Sequence, residues 1–98
     1  MRQLDQLRPE DFEPLLGTSL AVEVPGGGLA CELTQVRRLP PHSLRALPPF
    51  ALILRGPRER PFAQGTYALR HPGHGRLDLF MVPVGPDGAG LCYEITFN

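Results

Sequence analysis

The sequence predicts an all-β domain: about six antiparallel strands arranged as a small barrel or two-layer sandwich, with a short N-terminal helix as a lid. Three observations carry this. The last third of the chain, Gly65 to Asn98, reads as three strands joined by two Pro-Gly turns. Apolar and polar residues alternate through several runs, which is the period of a strand with one dry side. Proline and glycine, 12 and 11 of the 98 residues, punctuate the chain at short intervals and mark its turns.

Taken in order, Leu7 to Gly17 reads as a short helix over about residues 9–16. Pro9 suits the first helical position, and Glu10 and Asp11 lie where the helix dipole favours negative charge. Leu7 is placed to staple against Phe12. Pro14 lacks the N–H needed for the bond back to Glu10, so about two irregular turns are expected, closed by Gly17. Phe12, Leu15 and Leu16 would then cover one end of the sheet.

Ser19 to Val24 alternates as a strand, Pro25 to Gly28 turns the chain, and Leu29 to Leu39 forms a longer return strand. Pro40 to Pro49 carries two Pro-Pro pairs and reads as a stiff crossover with one helical turn at most. Phe50 to Arg55 is apolar on both faces and hence central. Gly56 to Gln64 is a polar loop.

The final meander follows from its turns. Between Tyr67–Arg70 and the strand beginning at Leu77 lies His71-Pro72-Gly73-His74-Gly75, where Pro72 presets one backbone angle and Gly73 supplies the positive φ of a type II turn. A second turn, Gly85 to Gly90, joins Val84 to Leu91. In the last strand Leu91, Tyr93, Ile95 and Phe97 share one face. The strand from Leu77 to Val84 differs, because Leu77, Leu79 and Met81 alternate with Phe80, Val82 and Val84. Both of its faces are apolar, which predicts cover on each by a helix, another sheet or a second copy. Pro83 cannot donate to a ladder and should sit at a sheet edge or a bulge.

Length and charge bound the function. A chain of 98 residues makes one domain with one modest core. Net charge is zero and the isoelectric point is near neutral, about 6.8, so no global field favours nucleic acid or an anionic membrane. All ten cationic side chains are arginine, which reads as the codon bias of a GC-rich genome. No apolar run has the length of a signal peptide or a membrane span, and the expected location is the cytoplasm.

Chemistry-bearing groups are sparse. Cys31 and Cys92 lie on predicted strands, outside any Cys-x-x-Cys spacing, and read as two reduced, buried or half-buried thiols, with a bridge between the strands as the alternative. The Gly26–Gly28 run lacks the Gly-Lys-Ser/Thr of a P-loop. His71 and His74 flank a turn and are candidates to share a metal with His42 or Cys92, although structural zinc sites want ligands in tight pairs. Asp78 and Glu94 are expected to pair across the sheet with Arg70 or Arg76. Arg55, Arg58 and Arg60 are candidates to clasp an anionic partner, with Glu59 among them.

Leu4-x-x-Leu7-x-Pro9-x-x-Phe12 with Leu16-Gly17, Leu39-Pro40 and Arg55-Gly56-Pro57, then Gln64-Gly65-Thr66-Tyr67, His71-Pro72, Leu79-Phe80, Val82-Pro83-Val84-Gly85-Pro86, Tyr93-Glu94 and Phe97-Asn98, resemble a family of short bacterial proteins with a domain of unknown function. That family is similar in setting to accessory components encoded near phage-tail-collar-like proteins. The resemblance implies a structural or adaptor role and supplies no catalytic residue and no cofactor.

The expected function is therefore a non-catalytic structural or protein-interaction module, with a protein partner or a second copy. Its contact residues are expected among Phe80, Val82, Val84, Ile95, Arg55, Arg58 and Arg60, and the terminal strand is expected at a sheet edge, where its backbone would be open to another chain. The alternatives are a barrel holding a small ligand beneath the lid and a metal-binding protein using His71 and His74.

Overall fold

The computed structural model describes residues 6–40 and 47–97. Six strands, β1 (Ser19–Val24), β2 (Gly27–Arg38), β3 (Phe50–Gly56), β4 (Gly65–His71), β5 (Gly75–Pro86) and β6 (Leu91–Phe97), close into a barrel in the order β1-β2-β3-β6-β5-β4. Each neighbouring pair is antiparallel. The barrel, rather than the sandwich, is the form adopted. Part of the crossover, residues 41–46 including His42, lies outside the described residues.

The topology is two similar three-stranded meanders, β1-β2-β3 and β4-β5-β6, joined where β3 meets β6 and β1 meets β4. In each meander the middle strand is the long one, 12 residues in both β2 and β5. Its first half pairs with the strand before it and its second half with the strand after it. Such a strand must bend. Each carries an extra residue that breaks the ladder register, between Leu33 and Gln35 in β2 and between Pro83 and Gly85 in β5, and a bulge of this kind bends the strand and raises its local twist. The missing N–H of Pro83 therefore falls at a ladder irregularity, as its chemistry requires. In β2 the extra residue is Thr34, whose hydroxyl donates to the Ile53 carbonyl at 3.2 Å.

The turns explain how the hairpins close. Pro25-Gly26 links Val24 to Gly27, with Gly26 at φ +95°, the positive angle a type II turn needs at its second central residue. At the β4–β5 hairpin the sequence expectation is corrected. Gly73 does not adopt a positive φ; Gly75 does, at +72°, and it pairs with His71 across a three-residue loop. Three-residue loops follow a first turn with one left-handed residue, and glycine at that place avoids the Cβ clash.

One core fills the barrel. Inward-facing Leu20, Val22, Leu29, Cys31, Leu33, Leu52, Leu54, Leu69, Leu77, Leu79, Met81 and Ile95 are buried in one cluster. Six strands enclose a narrow interior that side chains can fill unaided. Aromatic rings close both ends. At one end Phe12 packs against Phe50, Phe97 and the edge of His71, at centroid distances of 6.0, 5.9 and 5.0 Å. At the other end Phe62 stacks on Tyr93 at 3.9 Å, and the Phe62 N–H donates to the Tyr93 hydroxyl at 3.2 Å.

The lid is two 3-10 turns, Pro9–Asp11 and Glu13–Leu15, a shorter and tighter form of the expected helix. Both carry proline at one of their first two positions, and Pro14 prevents the turns from merging into an α-helix. Leu7 and Phe12 are fully buried and Leu15 packs on the core, but Leu16, expected inside, is 44% exposed.

Candidate functional site

The histidines at the lid end join the lid to the β4–β5 turn. His71 is 8% exposed. Its Nδ1 accepts the N–H groups of Gly73 and His74 at 2.9 and 3.1 Å, which places its proton on Nε2, where it donates to the Asp11 carbonyl at 2.7 Å. Both ring nitrogens are thus committed. His74 lies 3.3 Å from Asp11 Oδ1, and Asp11 Oδ2 accepts the Arg8 N–H at 2.8 Å. Asp11 therefore ties the lid to the β4–β5 turn and caps its own 3-10 turn. Its carboxyl lies below the ordinary range: burial pushes it up, and the Arg8 N–H and His74 outweigh that. Among the described residues no group of three or more His, Cys, Asp or Glu is placed to hold a metal ion.

The cysteines stand on opposite sides of the wall. Cys31 belongs to the core, where desolvation pushes its thiol up to about 11. Cys92 faces outward beside Arg55 and Gly85, and burial followed by the neighbouring Asp87 raises its thiol. Both are free, and the elevated values disfavour the reactive thiolate.

The outer wall over β2, β3, β6 and β5 has a different character. Ladder partners there form rows across the strands. Glu32, Arg55, Cys92 and Gly85 make one row, and Gln35, Ile53, Glu94 and Val82 make the next. An open cleft of about 340 Å³ lies on these rows, lined by Gln35, Arg37, Ile53, Val84, Asp87 and Glu94 among others. Its charges compensate one another within the chain. Arg37 bonds Glu94 at 2.6 Å, and Arg55 bonds both Asp87 at 2.7 Å and Glu32 at 3.2 Å.

Asp87 organises the cleft's end. One carboxylate oxygen accepts the N–H groups of Ala89 and Gly90, the other takes Arg55, and together they hold the carboxyl far below its usual range, with the Arg55 bond the largest cause. The β5 bulge then sets the apolar wall. The extra residue it inserts is Val84, which stands outward and 52% exposed. Phe80, on the same outer face of β5, is 51% exposed, and Val82 between them is half-buried.

The expected contact residues thus divide. Phe80, Val82 and Val84 form one outward stripe, and of the three covers the pattern predicts, neither a helix nor another sheet among the described residues lies over the exposed Phe80 and Val84. Ile95 is corrected: at 1% exposure it belongs to the core and cannot meet a partner. The terminal strand is corrected as well, since β6 lies between β3 and β5 and is not an edge. Arg55 is locked by two carboxylates, Arg60 donates to the Gly28 carbonyl at 3.2 Å, and Arg58 is exposed without an ion pair among the described residues. Glu94 and Asp78 bond Arg37 and Arg76, and Arg70 bonds Glu23.

Sequence reasoning missed Phe62, hidden in a loop that reads as polar; its signal is that it is the one aromatic residue between Gly56 and Gln64. Gln35 and Arg37 were also missed, because only the β2–β3 register sets Gln35 opposite Ile53 and Arg37 opposite Ala51.

These features define a small closed antiparallel barrel whose interior is packed and whose outer wall carries an open cleft. The chain belongs to the family described as domain of unknown function DUF6916, whose model matches residues 7–97. No curated protein matches it, and neither does any solved structure. No helix among the described residues is long and apolar enough to cross a membrane.

Proposed function

We propose that this domain is a non-catalytic protein-interaction module that contacts its partner through the outer face of β5 and the adjoining cleft. The observation that carries the reading is the stripe Phe80-Val82-Val84: large apolar side chains stand outward beside a cleft whose charged groups are already paired with one another. Exposed apolar surface rimmed by polar groups is the common signature of a protein contact. A charge-compensated rim suits an uncharged partner surface, because no unpaired charge is left to desolvate. The accessory role in a phage-tail-like bacterial assembly, implied by the resemblance above, is the setting in which we place such a module.

The test is capture with immobilised protein from the source cell, comparing wild type with Val84→Asp and Phe80→Asp. Both positions are exposed, so the variants should keep the wild-type circular dichroism and melting curve. Wild type should retain one or a few proteins at stoichiometric yield, and the variants should lose them. Equal retention by all three proteins would sink the reading.

A further inference from the structure

We propose that the partner of β5 is a second copy of this chain, docked edge to edge about Leu77 so that the two β5 strands run antiparallel. This goes beyond the interaction reading above, because it uses the edge of β5 and not its outer face. The argument begins with the ladder. On the side away from β4, β5 is paired only from Val82 onward, where it meets Glu94 of β6; Gly75 to Met81 pair with β4 alone. No turn, loop or cap backbone hydrogen bond reaches those seven residues from another described segment. Among the described residues they have no ladder partner beyond β4, and an unpaired strand edge is a template for a further strand.

The first meander has the same geometry and closes it differently. The early part of β2 is likewise unpaired on the β3 side, since that ladder begins at Glu32. There the 57–64 loop folds back, and the Arg60 guanidinium donates to the Gly28 carbonyl. The equivalent edge of β5 has no such clasp among the described residues.

The side chains on this edge select the occupant. Arg76 and Asp78 share the outer face and bond each other at 3.0 Å, both more than half exposed. Across β4, Arg76 lies opposite Arg70, whose own carboxylate is Glu23 at 2.9 Å, so the only acid on the β5 edge facing Arg76 is Asp78. An antiparallel copy in register about Leu77 sets Arg76 opposite Asp78 of the second copy, and the two-fold axis repeats the pair. The edge is therefore complementary in charge to itself, and isologous pairing is the arrangement a two-fold dimer requires.

The experiment is light scattering across a hundredfold concentration range for wild type, Arg76→Asp, Asp78→Arg and the double swap of both. Wild type should form a reversible dimer. Each single reversal sets like charges opposite each other in both symmetric pairs and should weaken association about tenfold; the double swap restores complementarity and should recover the wild-type constant. A wild type monomeric throughout would overturn the proposal, as would single variants that associate unchanged or a double swap that fails to recover. A monomer whose Val84 face still selects a partner in the capture experiment overturns self-pairing alone; loss of both results overturns the interaction reading too.

Discussion

Asp87 takes the Arg55 Nε at 2.7 Å with one carboxylate oxygen, while the other accepts the N–H groups of Ala89 and Gly90 at 2.9 and 3.1 Å. One side chain thus both builds the β5–β6 turn and anchors it to β3. The cationic partner and the two donors all favour the ionised form, which is why the carboxyl titrates far below its usual range.

Its pH signature follows from the sign of that shift. A carboxyl depressed in the folded state contributes stability at every pH above its unfolded value of about 3.9, and that contribution fades as the pH falls from there toward the folded value. Asp87→Asn should therefore lower the urea midpoint at pH 7, with the gap from wild type constant down to about pH 5 and closing below about pH 4. A gap that does not narrow in acid would show that the Arg55 charge pair is not its source.

Gly90 sits where no side chain fits. A Cβ there would lie 2.5 Å from the Gly56 carbonyl oxygen and 2.8 Å from Arg55 Cγ. The first of these is backbone and cannot swing aside. Gly90→Ala should cost about 1–3 kcal/mol in urea unfolding. A neutral result would mean that β3 and the turn separate easily.

The lid offers a contrast between neighbours. Phe12 is fully buried among three rings, whereas Leu16 is 44% exposed. Phe12→Ala should destabilise by about 3–5 kcal/mol, the usual loss for a deleted core ring. Leu16→Ala should stay within about 0.5 kcal/mol of wild type. Comparable losses at both positions in thermal or urea melts would contradict the packing described.

Much of the fold was legible because local chemistry dictated it. The Pro-Gly turns located the hairpins, Pro14 limited the lid, and the alternation of Leu91, Tyr93, Ile95 and Phe97 marked an inward face. That same alternation put Ile95 inside, so naming it a contact residue ran against its own pattern. What could not be read was anything set by long-range register. Closure rests on β1 meeting β4 at Val22–Leu69 and Glu23–Ala68, and no local signal marks those positions. The cleft is similar: Gln35, Ile53 and Glu94 come together only because bulged β2 and straight β3 align as they do. The apolar stripe on β5 was visible in sequence, but period-two patterning reports that a face is apolar, not whether the same chain covers it.

The division into two meanders bears on how the barrel assembles. Hairpins within each half join residues close in sequence, whereas the seams, Val22 with Leu69 and Phe50 with Phe97, join positions about fifty residues apart, and ordering that much chain before any contact forms is slow. Neither half can bury its leucines alone. The rate of folding should therefore be set by the meeting of the halves, and substitutions in the seams should retard refolding more than those in the hairpin turns.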